Sequence, residues 1–321
     1  MISIIIVNYN GKKWLEKCLD SLFNQTYKEF EIILVDNNSS DDSIEFLNAK
    51  YSNRNNLKIV RSDKNLGFAG GNNLGVKNSS GQYILLLNND TWVEDDFLER
   101  LIEFYNNHDF NLVGCKQKNY YSNEIINSNI GTIDIFGFPT DNDILFGSSG
   151  YCLFISKKDY IDSMGLDNNF FMYCEDIDWF WRLNLLEKKM CISNIYIHHA
   201  GGGSSGEFKE LNYKLFLWRN QNSLQTLLKN YSWYNLLWIL PIYFVQNIVE
   251  IIFFFLILEP KIAFSYIQGW WFNLKNIDKI LYKRKWIQKN RLISDYDVMK
   301  KMYFGSGKVL ALINFVKRKW K

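Results

Sequence analysis

The chain has 321 residues, of which 47% are hydrophobic, 17% aromatic and 22% charged, ample for a large core and far from the composition of a disordered chain. Five scattered cysteines, Cys18, Cys115, Cys152, Cys174 and Cys191, are odd in number and lack paired spacing, which argues against a disulfide framework or a cysteine-ligated zinc site and for a reducing compartment. The net charge of +3 hides an asymmetry: residues 261–321 carry fifteen Lys and Arg against three Asp, so the first 260 residues are acidic and the tail is basic.

Residues 2–7 are an apolar, β-branched run that reads as a buried strand. No basic region or cleavage-site pattern precedes it, so no signal peptide is expected. Asn8-Tyr9-Asn10-Gly11 is turn chemistry. Apolar residues at three-to-four spacing then predict a helix over residues 12–24. Residues 31–35 form a second apolar strand that ends in Asp36-Asn37-Asn38-Ser39-Ser40-Asp41-Asp42. Ser40 or Asp41 is placed to cap a helix over 43–49, and residues 57–60 make a third strand. This alternation is that of a doubly wound, mostly parallel sheet. Right-handed crossovers put the ends of its first, second and fourth strands on one edge, so Tyr9, Asp36 and Asp90 are expected to converge.

The stretch Asn65-Leu66-Gly67-Phe68-Ala69-Gly70-Gly71-Asn72-Asn73-Leu74-Gly75 is glycine-rich. Its spacing does not match Gly-x-Gly-x-x-Gly and it does not follow the first strand, which disfavours a dinucleotide-binding dehydrogenase. A phosphate cradle and a flexible loop opening a helix explain it about equally well. Residues 83–90, Tyr-Ile-Leu-Leu-Leu-Asn-Asn-Asp, read as a strand buried on both faces and ending in a carboxylate. Ligands of open α/β sheets sit beyond the carboxyl ends of the strands. A hard cation, Mg²⁺ or Mn²⁺, takes oxygen ligands and bridges to diphosphates, so Asp90 suits a metal–nucleotide site. The plain alternative is a polar strand end capping a helix over 94–106.

From 112 to 150 the pattern loosens into short strands and turns rich in Asn and Gly. Residues 151–156 predict a strand and 157–164 a short helix. Next come Glu175, Asp176 and Asp178 among aromatic neighbours, at the start of a helix running to about 188. Either they complement the helix dipole, or one of them is a general base in a partly dry pocket. Residues 190–197 predict a strand ending in His198-His199-Ala200-Gly201-Gly202-Gly203-Ser204, where a histidine at a strand end is a candidate metal ligand.

In this order and spacing the motifs resemble the inverting glycosyltransferases of family 2, with the GT-A fold, and within them the rhamnosyltransferase-like branch. The elements that carry the likeness are residues 5–10, 34–41, 65–75, 87–90, 170–178 and 199–204, over about the first two-thirds of the chain. The resemblance implies a nucleotide-sugar donor held by Tyr9 and Asp36, with Asn72 or Asn73 helping to fix it and Arg219 in Trp-Arg-Asn as a diphosphate contact. Asn88-Asn89-Asp90 stands where the family has Asp-x-Asp, with Asn88 replacing the first carboxylate. It implies Asp90 and His199 as ligands to Mg²⁺ or Mn²⁺. Asp176, the aspartate of the Glu175-Asp176 pair, is implied as the base, and Asp178 competes for that role. Rhamnose from a deoxythymidine-diphosphate donor is the branch-level expectation, with uridine-diphosphate hexoses next.

In the tail, residues 236–258 are long and apolar enough to span a bilayer, but Pro241, Gln246, Asn247 and Glu250 interrupt them. A carboxylate at mid-membrane costs roughly 2.5–3.5 kcal/mol. Two helices lying in the interface, or packed on the catalytic domain, are therefore expected instead of one spanning helix. Trp270, Trp271 and Trp286 with Lys283-Arg284-Lys285 and Lys317-Arg318-Lys319 suit an anionic membrane surface. A solvated basic face with a dimer contact is the plainer reading, and no nucleic-acid-binding motif appears. The expectation is thus a catalytic domain over 1–205 and a helical region over 206–321. It would be cytoplasmic, held peripherally at the inner face of the cell membrane, and act on a saccharide or lipid-linked saccharide in cell-surface glycan synthesis. A nucleotidyltransferase is disfavoured because it would want a basic, Gly-rich loop after the first strand. A catalytically silent glycan-binding scaffold is disfavoured because Asp90, Glu175-Asp176 and His199 are all present.

Overall fold

The alternation read from residues 2–87 is realised in the computed structural model, which describes residues 1–126, 131–140, 145–148, 150–201, 212–310 and 313. By mutual contacts the chain forms two units. The first comprises Met1–Ser128, Ser148–Phe171 and Lys188–Glu207; the second comprises Asn129–Gly147, Met172–Glu187 and Phe208–Lys321. Gly202, Gly203, Ser204 and the basic run Lys317-Arg318-Lys319 lie outside the described residues.

The first unit begins β1 (Ile2–Asn8), α1 (Lys12–Phe23), β2 (Phe30–Asp36), α2 (Ser43–Tyr51), β3 (Leu57–Arg61), α3 (Gly67–Lys77), β4 (Tyr83–Leu87). It continues with β5 (Thr91–Trp92), α4 (Phe97–Asn107), β6 (Leu112–Asn119), β7 (Ile125–Ile126), β8 (Cys152–Ser156) and α5 (Lys157–Asp162). The helix α6 (Glu175–Leu185) belongs to the second unit, and β9 (Met190–His199) returns to the first. The strands form one sheet in the order β3-β2-β1-β4-β8-β6-β9-β5, with β7 beside β6. The half around β1 is parallel, and its strands are apolar on both faces because helices cover both. Beyond β4 the pairing turns mixed: β8 runs antiparallel to β4 and β6, whereas β6 and β9 are parallel.

The glycines of α3 serve packing. A Cβ on Gly75 would lie 2.3 Å from Cγ2 of Ile5, and one on Gly71 would lie 2.7 Å from Cγ1 of Val7. Only a bare backbone lets this helix lie so close to the sheet. The loop expected over 65–75 is therefore mostly helix, entered through Gly67 at φ +71°. Element ends differ from expectation in small, explicable ways. Helix α2 starts after Asp42, and Asp41 serves it by accepting from the Ser43 N–H. Helix α4 starts at Phe97, because the Glu94 and Asp95 carbonyls accept from Gln25 and Thr26 at the end of α1. Helix α6 stops at Leu185, shortly before Glu187 takes a left-handed conformation.

The second unit adds α7 (Tyr213–Asn230), α8 (Trp233–Leu256), α9 (Pro260–Lys275), α10 (Ile277–Asn290) and α11 (Asp295–Met299). Gly269 lets α9 approach the α7 backbone at Asn220, and Asn220 and Asn273 bond across that contact. Buried Asp134 ties the unit's segments by accepting backbone N–H groups from Phe136, Phe138 and Gly307. The interruptions expected to divide the apolar tail run do not break it, and α8 is one helix through Pro241. Pro241 sits on the exposed side of the helix. Asn247 and Glu250 face the packed side, where Lys308 reaches both, at 3.3 and 3.0 Å. A second correction concerns the basic cluster. Arg284 is not offered to solvent: it is buried over the Trp233 ring and donates to the Leu228 and Tyr231 carbonyls at the end of α7, as suits a cation at a helix C-terminus.

Candidate active site

At the carboxyl edge of the parallel strands, Asn8 of β1 is level with Asp36 of β2. The edge is built on amide side chains. Asn89 donates to Asn8 Oδ1 at 2.9 Å, Asn8 donates to Ser39, and Asn37 donates to Asn65 and to the Gly67 carbonyl. Tyr9, next along the chain from this lattice, is 44% exposed. Asp36 is 2% exposed, and its Oδ1 has no hydrogen-bond partner. A buried carboxylate oxygen without a donor is costly, so this atom is set for a ligand that donates.

Asp90 and His199 come together because β5 pairs with β9, setting Thr91 opposite His199, and because the Ala200 N–H donates to the Asp90 carbonyl. His199 Nε2 lies 3.2 Å from Asp90 Oδ1, and its Nδ1 lies 3.1 Å from Oε1 of Gln117 on β6. With the Gln117 oxygen accepting from Nδ1, the neutral tautomer would leave the Nε2 lone pair toward the carboxylate. Two such acceptors face each other stably only with a cation or a proton between them. Adjacent ligands on an octahedral Mg²⁺, each at about 2.0–2.1 Å, are roughly 3 Å apart, and a ligating histidine commonly donates its other N–H to an acceptor such as Gln117. The pair fits a divalent cation. Among the described residues no group of three or more His, Cys, Asp and Glu could hold a metal.

His198, singled out with His199, has a different role. Successive side chains on a strand point to opposite faces, so His198 stacks on Trp92 at 3.4 Å and bonds Glu94 at 3.0 Å. Burial pulls its pKa below the ordinary value.

In the second unit, Tyr173 and Cys174 both adopt left-handed conformations and aim the start of α6. Glu175, Asp176 and Glu250 line a cavity of about 430 Å³ with partly aromatic walls, including Phe138, Phe216, Phe254 and Tyr266. Arg219 and Lys308 also line it, and the Arg219 guanidinium lies 5.3 Å over the Tyr173 ring. Glu175 is buried with Oε2 unpartnered; burial first, then the negative charge of Asp176, pushes its pKa up to about 8. Burial thus biases Glu175 toward its neutral form.

The structure revises three of the site residues expected from sequence. Asp178 is unfit as an alternative base, since it is fully buried and held by Arg182 and Lys229, both at 3.0 Å, and by Asn230. Asn72 donates to the Phe68 carbonyl one helical turn back and is 2% exposed, and Asn73 bonds Leu166, Asn168 and Tyr160. The Asn72 NH2 group and both ends of the Asn73 amide are thus engaged in holding α3 and its neighbours. Asn88 keeps a half-buried side chain, its N–H donating to Tyr151 and its carbonyl accepting from Thr91. Gln117 escaped sequence reading because it meets His199 only through the parallel pairing of β6 and β9, 82 positions apart.

A mixed sheet with a helix-covered parallel half and an acidic carboxyl edge is the GT-A type of α/β fold, here followed by helices. The family model for glycosyl transferase family 2 matches residues 3–178; the chain belongs to glycosyltransferase family 2 and is an enzyme of that class, acting on glycans. It is 29% identical over 218 residues, 66% of this chain and 82% of the relative, to the Escherichia coli UDP-Glc:alpha-D-GlcNAc-diphosphoundecaprenol beta-1,3-glucosyltransferase WfaP. It is 36% identical over 100 residues to glycosyltransferase GlyA and 31% identical over 120 residues to glycosyltransferase GlyG, both of Streptococcus pneumoniae. Those matches cover 31% and 37% of this chain but only 14% and 40% of the relatives' own lengths. Among solved structures, Staphylococcus aureus TarS 1–349 matches with a TM-score of 0.53 at 18% identity, over 71% of this chain and 66% of that one. GalNAc-T7 matches with a TM-score of 0.59 at 14% identity, over 73% and 49%. These two likenesses are of fold.

Proposed function

We propose that the chain is a metal-dependent, inverting hexosyltransferase that moves a sugar from a nucleoside-diphosphate donor to a hydroxyl of a lipid-linked saccharide. The observation that carries this reading is the Asp90–His199 pair, with His199 held by Gln117 and its Nε2 3.2 Å from Asp90 Oδ1. Asp90 and His199 would hold Mg²⁺ or Mn²⁺, which when bound supplies charge stabilisation to the departing diphosphate. Asp36, with its unpartnered oxygen, would accept from a base N–H, and Tyr9 would lie against the nucleoside. Asp176 would take the proton of the acceptor hydroxyl. The freed oxygen forms its bond to the anomeric carbon as the bond to the diphosphate breaks, and the electron pair leaves on the nucleoside diphosphate. One displacement inverts the centre. Glu175, keeping its own proton, leaves Asp176 as the carboxylate.

Aromatic walls with Arg219 beside them suit an acceptor that is apolar in part and anionic in part. WfaP, whose name specifies a diphosphoundecaprenol-linked acceptor, supports a lipid-linked saccharide, made at the inner face of the membrane. The named relative and a TarS structure with UDP-GlcNAc favour a uridine-diphosphate hexose over deoxythymidine-diphosphate-rhamnose; GalNAc-T7 was solved with UDP and Mn²⁺. The test is release of nucleoside diphosphate from UDP-glucose, UDP-N-acetylglucosamine and deoxythymidine-diphosphate-rhamnose, with Mn²⁺ and with chelator. Release that needs the metal and vanishes in Asp90→Ala supports the proposal. Equal release by Asp90→Ala, or none from any donor, defeats it.

A further inference from the structure

We infer that α8 and α9 dock the second unit in the plane of an anionic bilayer, immersing one side of each helix without crossing it. Helix α8 passes a length and composition test for a membrane span, with mean hydropathy 2.0. Its surroundings argue for another use. The residues it exposes recur every three to four positions along its whole length: Leu237 (77%), Val245 (60%), Ile248 (47%), Ile252 (54%) and Leu256 (77%) are among them, and none of the exposed residues is charged. Over 24 residues that row is about 36 Å long. The opposite side is packed inside the unit by Leu236, Ile239, Tyr243 and Phe254 and carries the Glu250–Lys308 ion pair at 3.0 Å. A helix inserted across a membrane would have to be stripped from those partners and take a carboxylate to mid-bilayer. A helix lying flat keeps them.

Helix α9 continues the surface. Phe264, Ile267, Trp271 and Leu274 are exposed on one side of it, with exposed Lys261 and Lys275 at either end of the row. The rings of Phe255 on α8 and Phe264 on α9 meet edge-to-face at 5.6 Å, joining the two rows. An apolar surface of this extent exceeds what a soluble monomer ordinarily leaves bare. Charge selects the occupant. Lysines border the α9 row, and Lys279, Lys285 and Lys289 are exposed on the next helix, which matches anionic headgroups around a shallow apolar insertion of about 5–10 Å. In a two-fold dimer through this surface the lysine-bordered patch would face itself.

This inference stands apart from the catalytic proposal, and its test uses the full chain. Flotation is measured with phosphatidylcholine vesicles and with vesicles containing phosphatidylglycerol, and a spin label is placed singly at positions 237, 248 and 256. The expected result is flotation with the anionic vesicles, release by alkaline carbonate, and similar shallow depths at all three positions. The variant with Leu237→Asp, Ile248→Asp and Ile252→Asp together should float at least about tenfold less, while donor hydrolysis and circular dichroism stay as in the parent. Should that variant misfold, the depth profile decides alone. A profile deepest at 248 with carbonate resistance means a spanning helix and overturns the inference. So does failure of the parent to float while it forms dimers that bury the labels.

Discussion

The acidic edge of the sheet and the acidic start of α6 treat their carboxylates in opposite ways. At the sheet edge Asp36 keeps an unpartnered oxygen and Asp90 lies 3.2 Å from the His199 ring. Around α6, Asp178 is doubly paired and burial, with the Asp176 charge, raises the pKa of Glu175 to about 8. The first centre is the one proposed to take a cation and a nucleotide donor. In the second, pairing or burial restrains Asp178 and Glu175. Carboxylates side by side in sequence thus divide into structural and reactive groups by their partners, not by their exposure alone.

The sharpest way to break this comparison is Asp176→Asn. Transfer should fall by roughly 10²–10⁴-fold with folding intact, read as product formation against urea unfolding. A small loss would take the base role from Asp176. Asp178→Ala should do the converse. Removing Asp178 takes from buried Arg182 and Lys229 the carboxylate that both pair with, at a cost of about 3–5 kcal/mol, visible as a lowered urea midpoint or insoluble protein. If Asp178→Ala were stable and inactive, the division drawn above would be reversed. Gln117→Leu should weaken metal affinity by about 10–100-fold, so that activity returns at high Mn²⁺; loss that no Mn²⁺ concentration restores would remove Gln117 from the metal's surroundings.

The smallest effect is one of pH. Burial and the Asp176 charge raise Glu175 to about 8 from an ordinary 4.5. Between those values the folded chain holds a proton that the unfolded chain releases. Its contribution is complete below about pH 4.5 and is lost as pH rises through about 8. Urea midpoints should therefore fall from about pH 5 to about pH 8.5, and Glu175→Gln should flatten that fall; an unchanged slope would mean Glu175 titrates normally.

What the sequence made legible follows range of interaction. The parallel half of the sheet was readable because each strand is a local apolar run, and Asp36 and Asp90 because each ends one. The wrong readings were of side chains whose partners are chosen by packing. Asn72 and Asn73 look like ligand amides in a glycine-rich run, yet α3 lies so close to β1 that they turn to backbone carbonyls and Tyr160. Arg284 sits in a basic triplet, but helical rotation buries it under the end of α7. Glu250 reads only as an interruption of an apolar run because nothing local to it reveals Lys308, 58 positions onward.

The adjacent rings of β9 make the proposed metal position a gauge of strand register. Sliding β9 by one residue against β5 would present His198 to Asp90 and hand His199 to the Trp92 side. A single-residue deletion early in β9 would therefore be expected to abolish cation binding while leaving both histidines in the chain, a defect that no inventory of side chains would reveal.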